Sequence, residues 1–289
     1  MARTRNREKK GSLLHQVKTA LDEKLAIGES KFEDKKIGAT ADKIYSWNTY
    51  KTYLKHNIYF IHWAKETHQI KSLDEGKKYV NEWLEIREKQ GLSAYTVKLE
   101  TSALMKLYNI SSDEIYKSNA RYRVNINRSR GEKVRDKHFS EENHKDLVRF
   151  CRATGLRRAE LQQLRGTDLI EIDGEPFICV SRGAKGGRHR NISLTFEKDF
   201  IQALMRSKGE EKVFEKVPNG ADIHSYRAEF ATRLYKKLAR DIDSLPKSEK
   251  YHCRKDLKGV CYDKKAMLEV SRALGHNRIS VIAGHYIRK

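Results

Sequence analysis

Arg157, Lys185, His224, Arg227, His276 and Tyr286 are the residues of this 289-residue sequence whose types and spacing could do chemistry together. Two arginines grip the oxygens of a phosphodiester and stay charged at any working pH. Together they can neutralise the charge that builds on phosphorus when it is attacked. A phenol is a poor nucleophile at neutral pH, with a free pKa of about 10. Neighbouring cations and a histidine that accepts its proton activate it. A lysine on a hairpin tip can protonate the departing 5′ oxygen. No close carboxylate pair and no clustered His, Asp and Glu spacing accompany them, so the chemistry expected is phosphodiester attack without metal or other cofactor. Tyr286 read alone is a surface tyrosine near a chain end; the cations upstream make it a candidate nucleophile.

The elements that must position these groups are legible as helix and turn signals. Leu274 ends a helix begun near Lys264, and Gly275 supplies the left-handed stop that holds His276 on a corner. His224 and Arg227, three apart, share one face of a helix running to about Arg240. Arg157 and Arg158 open a helix, 156–164, after Thr154-Gly155. A hairpin of 168–172 and 176–181 turns on Asp173-Gly174, and 183–187 is a Gly-rich tip carrying Lys185 before a strand at 188–194. Ser140-Glu141-Glu142 caps a helix through Cys151.

Upstream, 40–68 reads as one or two helices, Ser72-Leu73-Asp74-Glu75 as a capping box, and 93–108 as a further helix. Residues 13–25 carry one apolar stripe that must be covered, by this chain or by a second copy. Residues 1–10 are a basic arm, and 111–137 are rich in charge and poor in apolar pattern. The expected fold is mostly α with a small antiparallel β-sheet, in four parts: 1–39, arm and amphipathic helix; 40–115, helical; 116–137, basic linker; 138–289, α+β with the site.

Sixty Lys and Arg against 39 Asp and Glu give a formal charge of +21, which points to a polyanion, nucleic acid foremost. No apolar run reaches the roughly 18 residues a spanning helix needs, and no signal-peptide pattern opens the chain. Four cysteines without a CxxC pair fit a reducing cytosol. Lys51, Lys55, Thr96, Lys98, Arg128, Arg130, Arg158, Arg188, Arg190 and Arg254 are the candidate DNA contacts. Arg158 reads equally as an internal salt-bridge residue. Glu160, one turn from Arg157, either orients it or is an ordinary helix carboxylate. Zinc on His252, Cys253 and Cys261 lacks an evident fourth ligand. The segment 241–263 reads as an inserted hairpin that touches DNA.

Three boxes carry a resemblance: Ala153-Thr154-Gly155-Leu156-Arg157-Arg158-Ala159-Glu160-Leu161; His224-Ser225-Tyr226-Arg227; and Leu274-Gly275-His276 with Tyr286 ten residues on. Their order over about residues 40–289 resembles the tyrosine recombinases, the phage-integrase family. The resemblance implies a helical core-binding domain and a catalytic domain that clamp duplex DNA. Tyr286 would form a 3′-phosphotyrosyl link, Arg157 and Arg227 bind the phosphate, His224 and His276 assist, and Lys185 act as general acid. It also implies a homo-tetramer exchanging strands through a Holliday junction, without ATP or metal. A mobile-element integrase, cytoplasmic and on prokaryotic or phage DNA, is favoured over a chromosome or plasmid dimer resolvase, with an accessory directionality factor as a further partner. A catalytically silent DNA-binding protein and a relaxing topoisomerase are the other readings. Only three residues follow Tyr286, where many members carry a longer docking tail, so residues 13–25 are an alternative link between protomers.

Overall fold

The computed structural model describes residues 11–122, 139–184, 187, 189–254, 257–276 and 278–287. The chain divides into two compact units, Met1–Asn127 and Arg128–Lys289. The arm at 1–10 and most of the linker lie outside the described residues.

Serine caps write the first unit. Ser12 accepts from the His15 amide and opens α1 (Leu13–Asp22). Ser46 accepts from Thr49 N–H at 3.2 Å and opens α3 (Trp47–His68), after the short α2 (Lys31–Lys36). Ser72 opens α4 (Leu73–Gly76), and Ser93 opens α6 (Ala94–Tyr108). Each serine oxygen satisfies an amide that the first turn leaves without a partner. The capping box at Ser72 starts a shorter element than its pattern suggests: a 3₁₀ turn at Lys77–Tyr79 separates α4 from α5 (Val80–Lys89). The core joins Val17 and Leu21 of α1 to Phe60 of α3, Leu84 of α5 and Leu104 of α6. Val17 and Leu21 of the α1 stripe are therefore covered by their own chain, while Leu14 stays 42% exposed. Glu100 is buried in this core and bound by Arg87 at 3.0 and 3.1 Å and by His56 at 3.2 Å.

In the second unit, α7 (Lys145–Thr154) follows a 3₁₀ turn, and α8 (Arg158–Leu161) is a single turn, shorter than the helix expected there. The sheet pairs β1 (Leu169–Ile172), β2 (Glu175–Val180) and β3 (Arg190–Ser193) antiparallel in that order. Asp173 and Gly174 sit at φ 52° and 78°, as a two-residue hairpin turn requires. After α9 (Lys198–Lys208) comes α10 (Ile223–Leu238), capped by Asp222. The segment 241–263 does form a hairpin, β4 (Lys250–His252) with β5 (Cys261–Asp263), and leads into α11 (Lys264–Ala273) and α12 (Ile279–His285). Arg240 pins it: its Nε and Nη2 donate to the buried Asp263 carboxylate at 2.8 Å each. Phe150, Leu161, Ile178, Phe230 and Val270 centre the core, and Tyr286 and Ile287 belong to it.

The helices α7 and α11 both end on left-handed glycines, and both ends matter below. Gly155 follows α7 at φ 61°, where an added Cβ would stand 2.4 Å from the Phe230 ring of α10. Gly155→Ala should lower stability by more than ~1 kcal/mol, combining backbone strain with a ring that must move. Thermal unfolding should register a loss of about 2–4 °C or more; an unchanged midpoint would show that the two helices can separate at no cost.

Candidate active site

The site is built on three helix termini of the second unit. α11 ends in a Schellman motif: Gly275 N–H donates to the Arg272 carbonyl and His276 N–H to the Ser271 carbonyl, both at 2.8 Å, with Gly275 at φ 64°. The motif fixes His276 and aims the Leu274 carbonyl into the site, where it accepts Arg157 Nη2 at 3.0 Å and Arg227 Nη2. The end of α7 contributes the Gly155 carbonyl, which accepts Arg227 Nη1. The helix α10 supplies Arg227 itself, one turn from its cap, with His224 on the same face.

Arg227 is 2% exposed. Among the described residues its hydrogen-bond partners are two carbonyls, the Tyr286 phenol (Nε to Oη, 3.3 Å) and the His276 ring (Nη2 to Nε2, 3.4 Å), and none is a carboxylate. Burial lowers its pKa to about 10, opposed by Tyr286 and furthered by the charge of Arg157; at neutral pH it remains a cation. Helix C-terminal carbonyls carry partial negative charge and steady a guanidinium without cancelling it. Glu160 is the carboxylate of the cluster, and it serves Arg157 and Arg190. Among the described residues, three guanidinium groups against one carboxylate leave an excess of positive charge at the place where Tyr286 is seated.

Tyr286 is 6% exposed, at the end of α12, with its carbonyl accepting from Thr232 at 3.3 Å. Its Oη lies 3.2 Å from His276 Nε2. That nitrogen also faces Arg227 Nη2, and a guanidinium has no lone pair to offer, so Nε2 is assigned as the acceptor and the ring proton as Nδ1–H. The phenol can then donate to His276 while Arg227 Nε donates to the phenol oxygen. His224 stands with its ring centroid 5.5 Å from that of Tyr286.

The structure thus brings together Arg157, His224, Arg227, His276 and Tyr286. Lys185 and Arg188, with Arg128 and Arg130, lie outside the described residues. Two arginines expected on DNA are placed inward. Arg158 donates to the carbonyls of Val217, Pro218, Asn219 and Ala221, at 2.6–3.4 Å, and binds a loop of its own chain. Arg190, 7% exposed in its side chain, reaches Glu160 and not the surface, because the strand alternation turns it toward α8 and α11. Lys51 and Lys55 are exposed on one face of α3, Lys98 is exposed and Thr96 half-buried on α6, and Arg254 is exposed beyond β4. Glu160 orients Arg157, accepting its Nη1 at 2.8 Å and its backbone N–H at 2.7 Å. The Leu274 and Gly155 carbonyls escaped the sequence reading, although the glycines that expose them were the available signal. Among the described residues no group of three or more His, Cys, Asp and Glu is placed to hold a metal ion, and no helix is long and apolar enough to cross a membrane.

Compared with models of known protein families the chain matches none, and no curated protein matches it in sequence. Solved structures match in fold. The XerH site-specific recombinase bound to palindromic difH substrate, a post-cleavage complex, aligns over 96% of this chain and 93% of its own at 17% identity, with a TM-score of 0.52. The same recombinase in a pre-cleavage complex with difH gives 0.48 over 94% and 92% at 16% identity. The Tn1549 transposon integrase in complex with transposon right end DNA gives 0.44 over 96% of each chain at 14% identity. The chain has the fold of a site-specific recombinase, mostly α with a small antiparallel sheet.

The carboxyl of Glu160 yields a pH prediction. Burial alone would raise it, but the hydrogen bonds and charge of Arg190, then the hydrogen bonds of Arg157, outweigh burial and hold it at about 2, below its ordinary 4.5. A depressed acid stabilises the fold above its unfolded value and loses that contribution as pH falls toward the folded one. Acid unfolding of the wild type should therefore steepen between pH 4.5 and about 2. Glu160→Gln should flatten that segment of the curve; identical acid limbs in the two proteins would contradict it.

Proposed function

We propose that this protein is a site-specific tyrosine recombinase, and the observation that carries the reading is the seat of Tyr286. Its phenol oxygen lies between a proton acceptor, His276 Nε2 at 3.2 Å, and a buried guanidinium with no carboxylate partner among the described residues, Arg227 Nε at 3.3 Å. A cation this deeply buried and this weakly compensated calls for an anion, and a DNA phosphate supplies one.

In the cleavage step Tyr286 Oη attacks the scissile phosphorus and its proton passes to His276 Nε2. The bond from phosphorus to the 5′ oxygen breaks, leaving a 3′-phosphotyrosyl link and a free 5′-OH. Arg157 and Arg227, with His224, hold the non-bridging oxygens as charge accumulates on them. The resemblance assigns protonation of the departing 5′ oxygen to Lys185. A 5′-OH from a partner duplex then attacks the phosphotyrosine in the reverse sense, so that bond energy is conserved and neither ATP nor metal enters. Paired exchanges within a homo-tetramer pass through a Holliday junction. Lys51, Lys55, Thr96 and Lys98 in the helical unit, and Arg254 in the inserted hairpin, are available to the DNA backbone. Integration and excision of a mobile element, with an accessory factor setting direction, is the use we assign to this chemistry.

The test is a covalent-adduct assay on nicked duplexes drawn from the DNA that flanks the gene, with chelator present. A denaturation-resistant protein–DNA band should form with the wild type, be absent with Tyr286→Phe, and ignore the chelator. Arg227→Lys should slow its formation by about a hundredfold to a thousandfold, the size of effect seen when one preorganised donor to a transition-state oxyanion is lost. Salt-sensitive binding without a band would leave a DNA-binding protein of this fold and sink the nucleophile assignment.

A further inference from the structure

Arg190 ties together three of the elements that build the site. From the first position of β3 its Nη1 and Nη2 donate to the two Glu160 oxygens at 2.9 and 2.8 Å, and its Nε donates to the Ala273 carbonyl at 2.9 Å. The same carboxylate holds Arg157, through Nη1 on Oε1 and the backbone N–H on Oε2. One carboxylate therefore serves two guanidinium groups, and both groups continue to the end of α11, Arg190 at Ala273 and Arg157 at Leu274. Arg190 also lies flat against the corner that delivers His276: a Cβ added at Gly275 would stand 3.1 Å from Arg190 Cδ and Nη1.

We infer that Arg190 is a positioning residue for DNA cleavage, acting through Glu160 on Arg157. The inference rests on the recombinase reading and adds a residue to its machinery. All three Arg190 nitrogens donate to protein oxygens and its side chain is only 7% exposed, so its effect on a substrate passes through those partners. Facing Arg157 alone, Glu160 would be free to take both amino groups of that guanidinium and spend its charge within the protein. With Arg190 already bridging the carboxylate, Arg157 keeps one amino group on Glu160 and one on a neutral carbonyl, and its net charge remains for the phosphate. A lysine cannot reproduce this, because one ammonium does not span two carboxylate oxygens and a carbonyl in the plane of a fork.

The test compares single-turnover adduct formation by the full chain as wild type, Arg190→Gln, Arg190→Lys, Arg157→Ala and the Arg157→Ala/Arg190→Gln double variant. DNA affinity and unfolding temperature are measured alongside. Both Arg190 variants should cleave about tenfold to a hundredfold more slowly while still binding DNA, the scale of a displaced catalytic group. The double variant should be no slower than Arg157→Ala, since residues that act as one unit are not additive. On a duplex with a neutral methylphosphonate at the cleaved position, which needs less cationic compensation, most of the Arg190→Gln defect should vanish; a purely structural loss would persist there. Should Arg190→Gln fail to fold, Arg190→Lys keeps the charge and carries the same comparisons. Wild-type rates in the Arg190 variants, multiplied losses in the double variant, or an equal defect on the methylphosphonate would overturn the inference alone. A wild type that forms no adduct would overturn the recombinase reading and the inference with it.

Discussion

Arg227 is a buried guanidinium held in place by backbone carbonyls, and the architecture of the second unit follows from that arrangement. Burying an ion is costly, and the usual remedy is a carboxylate partner. Here the remedy is the C-terminal ends of two helices, α7 and α11, each closed by a left-handed glycine that turns its last carbonyls inward. Carbonyl dipoles lower the cost of the charge while leaving it unneutralised. The result is a cation fixed in direction with its remaining edge turned to the Tyr286 phenol.

The same termini organise the other groups. The Schellman motif after α11 sets the direction of His276 and, by the same hydrogen bonds, presents Leu274 to Arg157 and Arg227. Glu160 takes up the excess of cations at one remove, through Arg157 and Arg190. A displacement of α11 would move an imidazole and three guanidinium groups at once. Coupling of this kind keeps a site preorganised, and it means that the site and the core share their supports.

The helical unit has a different logic. Its serine caps and aromatic core close it on itself, and its exposed lysines add to the positive charge that any polyanion would meet. The covered face of α1 shows how little a stripe reveals about its partner. Val17 and Leu21 needed an apolar surface, and α3 and α6 of the same chain provide it.

The sequence by itself determined the helical character, the Asp173-Gly174 hairpin, the glycine stop before His276 and the three boxes that gather Arg157, His224, Arg227, His276 and Tyr286. These are local signals or motifs, set by backbone sterics, capping and spacing, and they survive without knowledge of what packs where. The tertiary structure alone decided how far single-turn elements such as α8 extend, because a four-residue helix lives on its contacts and not on propensity. It also decided the fate of individual arginines. Arg158 and Arg190 look like surface cations in a basic chain, yet one is spent on four loop carbonyls and the other on Glu160. A guanidinium carries the same charge and the same donors wherever it stands. Whether it faces solvent, a phosphate or a buried carboxylate depends on residues tens of positions away that only the folded chain brings within hydrogen-bonding distance.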